Sequence, residues 1–171
     1  MPDNKYNFTT AAGQTIAREL LLAFLNTGTT EAPVWSIVGK RVEESSAEYD
    51  WSEESKQDII GQTHGSMKKP VITQTFDPCE LDAGDVAQKK IWDLAIVEQN
   101  AQALCNMDML IVHTYANFAE RYESCMVKPS SLGGPGGGSI EMPIDVTYGG
   151  KRTIGSATKG EDGSVTFNPA A

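Results

Sequence analysis

Only one stretch of this chain carries the periodicity of a helix, and that fact does most to limit what the chain can fold into. Ala87, Ile91, Leu94 and Ala95 recur at i, i+4, i+7 and i+8, which places them on one apolar stripe, with Trp92 and Ile96 widening it. Asp82 and Asp85 stand at capping spacing around Gly84, just ahead of the stripe. The pattern predicts one helix over residues 84–99. The other apolar residues come in short runs bounded by turn formers. Residues 34–42 are rich in β-branched and aromatic side chains, with Trp35, Ile37 and Arg41 on one face. Runs at 54–61, 70–76, 109–115, 119–127, 140–148, 151–158 and 165–167 read as further strands. Residues 20–26 fit a buried strand or a buried helical segment, and their shortness and the Asn26-Thr27-Gly28 stop favour the strand.

Connections are read from turn chemistry. Residues 63–66 are expected to turn between strands 54–61 and 70–76, and Gly149-Gly150 to close a hairpin. In 119–127, Tyr122, Ser124 and Met126 are expected on one side, with Glu123 and Cys125 on the other. Strands, one helix and more strands give a mainly β chain: a β-sandwich or barrel-like set of antiparallel sheets with one flanking α-helix. With 171 residues, one domain is expected. It divides into an N-terminal arm at 1–18, a β domain at 19–158 and a C-terminal segment at 159–171. Within the β domain lie an acidic loop at 43–55 carrying Tyr49 and Trp51, the helix, and a loop at 128–138. That last loop holds five glycines and two prolines in eleven residues, which exclude helix and central strand.

Charge and residue chemistry exclude several functions. There are 23 acids against 14 bases, a net charge of −9, which opposes gripping nucleic acid by its phosphates. The three cysteines, Cys79, Cys105 and Cys125, are odd in number and unpaired in spacing, so neither a disulfide framework nor a zinc site is expected. Of the two histidines, His64 falls in an expected turn and His113 in an expected strand, where a satisfied half-buried histidine is the reading. No serine sits in a nucleophile elbow. Glu43-Glu44 and Glu53-Glu54 read as solvated acids, and the glycine run lacks the ending of a phosphate loop. Catalytic residues, metals and cofactors are therefore not expected. The longest apolar run, at 20–25, is too short to span a membrane. The first residues lack the pattern of a signal peptide, so folding in a cytosol is expected.

Taken in order, a set of local features is similar to a known family. They are residues 20–26 followed by Thr27-Gly28, Val34-Trp35-x-Ile37-Val38-Gly39, Tyr49-Asp50 and Asp58-Ile59-Ile60-Gly61-Gln62-Thr63. The helix opening Leu81-Asp82-Ala83-Gly84-Asp85, the glycine-rich loop, the 140–148 strand and Gly149-Gly150-Lys151 complete the set. Over residues 19–158 the chain resembles the phage major tail tube proteins of long-tailed phages. It departs from their pattern in the glycine content of 133–138 and the length of its N-terminal arm. The resemblance implies a structural virion protein without cofactor or membrane, assembled in the host bacterial cytoplasm into hexameric rings that stack as a tail tube. It implies the tape measure protein and tail terminator and initiator proteins as partners, and DNA passing through the lumen without specific binding. On that reading Tyr49, Trp51 and Glu53 are candidate subunit-interface residues, and Glu54, Lys56 and Asp58 are candidate lumen residues. The alternative is a monomeric β-sandwich module that binds carbohydrate or a host surface protein, using an exposed aromatic platform.

Overall fold

A computed structural model of the chain describes residues 6–171; the first part of the expected arm, 1–5, lies outside the described residues. After a 3₁₀ turn at Arg18–Leu20 come β1 (Leu21–Asn26), β2 (Trp35–Val38), β3 (Ala47–Asp50), β4 (Glu54–Gln57), β5 (Thr63–Ser66) and β6 (Val71–Phe76). The helix α1 (Val86–Trp92) continues through a π-helical turn, Asp93–Val97, and is followed by the single turn α2 (Ala101–Leu104). The chain then forms β7 (Met107–His113), β8 (Phe118–Pro129), β9 (Ile144–Tyr148), β10 (Arg152–Lys159) and β11 (Val165–Pro169). The architecture is antiparallel β with one flanking helix, as the runs and the single stripe predict.

Nine of these strands form one curled sheet in the order β2-β1-β7-β8-β9-β6-β3, with β10 on β8 and β11 on β10. The long strand β8 is where the sheet turns its corner. Its first half pairs with β7 and β10, and its second half pairs with β9. At the corner Ser124 has φ +60°. Opposite it, Gly150 has φ +64°, and an added Cβ there meets the Glu123 carbonyl oxygen. This corrects two expectations. Strands β9 and β10 do not pair as a hairpin through Gly149-Gly150; both run along β8, and the glycines bend one long path around the corner. The bulge also breaks the alternation, so Tyr122 and Cys125 both point inward while Ser124 and Met126 are exposed.

The main core lies between the concave face of the sheet and α1. Leu25, Val38, Phe76, Ile91, Met109, Val127 and Ile144 belong to it. Helix α1 starts where the carboxylate of Asp85 accepts from the Gln88 amide at 3.1 Å, and Asp82 instead closes a turn onto the Gly84 amide. Ala87 and Ile91 are fully buried, but beyond Trp92 the stripe loosens: Leu94 and Ala95 are half-buried and Val97 is exposed. A second, smaller cluster on the opposite face joins Phe24, Trp35, Leu110 and Ala119, with Ala157, Val165 and Phe167 folding over it from β10 and β11. No helix of the described residues is long and apolar enough to cross a membrane.

Candidate functional site

Segment 43–67 is built differently from its expected form. The loop 43–55 contains strand β3, whose Ala47–Asp50 pair with Gln74–Val71 of β6. The pairing of 54–61 with 70–76 does not occur. Glu54–Gln57 pair instead with Thr63–Ser66, so residues 63–66 are a strand and the turn lies at 58–62. Strand β6 runs between β3 and β9, with Ile72, Gln74 and Phe76 buried and Thr73 and Thr75 outward. Gln74 lies inside. Its carbonyl accepts from the Tyr148 hydroxyl at 2.6 Å, and its amide donates to Ser45 Oγ at 3.0 Å. The slip arose because period-2 alternation does not say which run is the partner.

The β4–β5 pair is therefore a separate two-stranded arm. Every residue of both strands is exposed, and neither strand pairs with the main sheet. At its base the Lys68 amide donates to the Trp51 carbonyl at 2.9 Å. At its end Asp58 holds the turn: its carboxylate accepts from the amides of Ile60 (3.0 Å) and Gln62 (2.9 Å) and from His64 Nε2 (2.9 Å). The His64 bond, with those amides, lowers the Asp58 pKa below the ordinary carboxylate value. This turn presents Ile59, fully exposed, and Ile60, 73% exposed, to solvent. Of the lumen candidates, Glu54 and Lys56 alternate along β4, opposite Ser66 and His64, whereas Asp58 belongs to the turn.

The interface candidates sit at the base of this arm. Tyr49 and Trp51 stack with ring centroids 6.2 Å apart and planes 17° from parallel. They are 46% and 42% exposed, and Glu53 is exposed beside them. The two rings form one wall of a groove of about 600 Å³, floored by Ile72, Tyr122 and Tyr148 and bounded by Lys69, Gly150 and Arg152.

Behind that groove lies a polar centre that sequence reasoning missed. Glu120 is 5% exposed. It accepts from Arg152 Nε at 2.7 Å, from the Tyr122 hydroxyl at 3.1 Å and, through its other oxygen, from His113 Nε2 at 2.9 Å. Burial alone raises its pKa, but the hydrogen bonds from His113 and Arg152 outweigh that and leave it lowered. His113 is the satisfied half-buried histidine expected, with Nδ1 2.8 Å from the Tyr115 hydroxyl. The described part of the N-terminal arm docks on the same cluster. The Thr9 amide donates to the Tyr115 carbonyl at 2.7 Å, and Tyr6 packs on Phe118 with centroids 4.8 Å apart. An isolated Glu120 in a strand gives no sequence signal for a centre assembled from three strands. The chemistry here is that of a held charge, since all three donors converge on one carboxylate.

No family model and no curated protein matches the sequence. Solved structures do. The chain is similar to one from the PVC sheath–tube complex of an extracellular contractile injection system in its extended state. That likeness has a TM-score of 0.48 at 10% identity and covers 85% of this chain and 94% of the other. It is similar to a chain of the anti-feeding prophage tube-terminating cap, with a TM-score of 0.47 at 14% identity, covering 92% of this chain and 100% of that one. The Hcp1 protein from E. coli EAEC 042 is similar at a TM-score of 0.34 and 9% identity, covering 87% and 97%.

Among the described residues no group of three or more His, Cys, Asp or Glu side chains is placed to hold a metal ion. Cys79 and Cys125 are buried free thiols and Cys105 is an exposed one. Burial pushes the Cys125 pKa up to about 11, which makes it a poor nucleophile.

Proposed function

We propose that this chain is a structural subunit that assembles with copies of itself into stacked hexameric rings, forming a tail tube through which DNA is ejected. The observation that carries the reading is the β4–β5 arm with its bare isoleucine tip. A two-stranded hairpin alone is at best marginal in water, and two adjacent exposed isoleucines on a held turn form an apolar surface in need of a partner. Open edges support the same reading: among the described residues β2 pairs only with β1, β3 only with β6 and β11 only with β10. Edges left open invite another chain, and a ring closes them on neighbours. The half-exposed Tyr49–Trp51 wall, with Glu53 beside it, is the proposed subunit contact at the arm's base. The shaft residues Glu54 and Lys56 are the proposed lumen wall; Asp58 stands beyond the shaft, in the turn at the arm's tip. A net charge of −9 per copy keeps phosphates from sticking to such a wall. The tape measure, terminator and initiator proteins are proposed as partners, the virion tail as the location, and the host cytoplasm as the place of assembly.

The test is negative-stain microscopy of the purified chain across a concentration series. Rings or tubes that grow with concentration are expected. A chain that stays monomeric at every concentration overturns the reading and favours a binding module that uses the Tyr49–Trp51 groove.

A further inference from the structure

A second groove, on the opposite side of the sheet from α1, has no occupant among the described residues. It encloses about 440 Å³ between the outer face of β1, β2 and β7 and the folded-over β10–β11 pair. Leu22, Phe24, Trp35, Ile37, Val112 and Val165 line it, and Thr158 and Lys159 stand exposed at its rim. Its walls are mainly apolar, with His113, Thr114 and Asn117 also lining it; its floor belongs to the smaller core cluster, and Lys159 is the lysine or arginine among its lining residues, with Glu161 and Asp162 in the turn that follows.

Resting on the self-assembly reading above, we propose that this groove receives the tip of the β4–β5 arm from a second copy of the chain, with Ile59 and Ile60 entering the groove and Asp58 meeting Lys159. Three observations converge on that occupant. The tip is the most exposed apolar point of the described chain, and the groove is an apolar recess large enough for two aliphatic side chains. Asp58 behind the tip and Lys159, the lysine or arginine among the lining residues, are opposite in sign. The donor and receiver also lie far apart in the sheet: the arm follows β3, at one end of the strand order, and the groove is formed at the other end by β2, β1 and β7. A contact between two different surfaces of one chain is heterologous. It repeats from copy to copy, giving rings where the rotation closes and helical arrays where it does not. The tip needs little ordering to bind, because Asp58 and Gly61, at φ +82°, already hold its turn.

The experiment uses the full chain with Cys105→Ser to silence the exposed native thiol. Ile59→Cys and Thr158→Cys are made separately in that background, mixed under assembling conditions and mildly oxidised. A linked dimer whose joined peptides mass spectrometry assigns to positions 59 and 158 is expected. Assemblies that form without this link overturn the groove assignment while leaving the self-assembly reading standing. A parent chain that never assembles overturns both. A Pro2→Cys/Thr158→Cys chain that links within itself gives the groove to the chain's own N-terminus and overturns the proposal. As a second measurement, Ile59→Asp/Ile60→Asp should raise the concentration needed for assembly about a hundredfold, each isoleucine being worth about tenfold, with the melting temperature unchanged. Unaltered assembly of that variant overturns the proposal.

Discussion

At the scale of single residues, the Glu120 centre decides most. A carboxylate this buried is costly unless donors surround it, and here Arg152, His113 and Tyr122 do so. Glu120→Gln keeps the shape and removes the charge, leaving Arg152 and His113 without their counter-charge. At neutral pH it should lower unfolding free energy by about 3 kcal/mol, the scale for breaking a buried pair. The sign of the pH dependence follows from the lowered folded pKa. The unfolded chain takes up its proton first as pH falls, so the stabilisation is full above the ordinary carboxylate pKa and is lost as pH drops through the folded value. Denaturant melts of parent and variant should therefore differ at pH 7 and converge in acid. A gap independent of pH would assign the effect to packing instead. Nothing in the sequence marks Glu120 out, because its two basic partners stand on other strands, His113 in β7 and Arg152, 32 residues away, in β10.

Two elements carry the claims at the next scale. Helix α1 holds the concave core shut through Ile91, which is 0% exposed. Ile91→Asp buries an unpaired charge there and should cost about 3–5 kcal/mol, read as a large fall in melting temperature. The β4–β5 arm is the opposite case, because it contributes no residue to either core cluster. Replacing residues 52–67 with an Asn-Gly turn joins Trp51 to Lys68, whose backbones already share a hydrogen bond. That variant should melt like the parent in its monomeric state yet fail to assemble, as sedimentation velocity would report. Normal assembly without the arm would remove it from the mechanism. The helix was legible in sequence because its stripe needs only local spacing. The arm was not, since the partner of β4 is chosen by the turn at Asp58, while the partners of β6 are chosen by the distant strands β3 and β9.

For the whole molecule, net charge is the quantity that bears on the proposed passage of DNA. A conduit for DNA must not bind it, and an acidic wall meets that need. Glu54→Lys should retain DNA on assembled tubes at low salt and release it at high salt, the dependence expected of phosphate contacts. Asp58 is left unchanged, because it holds the turn through three hydrogen bonds and belongs to the proposed contact between copies. A tube of that variant that ignores DNA at all salt concentrations would take Glu54 out of the lumen.

The sequence by itself determined the fold class, the place of the helix with an aspartate signal at its start, and the satisfied state of His113. Those features depend on local periodicity and on capping chemistry, both of which are written in neighbouring residues. Only the tertiary structure decided that Gly149-Gly150 bends a path instead of closing a hairpin, that Gln74 and Glu120 lie inside, and that residues 54–66 leave the sheet as an arm. Each of these turns on which strand lies beside which, and strand pairing joins residues many positions apart at almost no cost to local pattern. The bulge at Ser124 shows the reason in small: one residue at positive φ, set against a glycine 26 positions later at Gly150, reverses which side chains face the core.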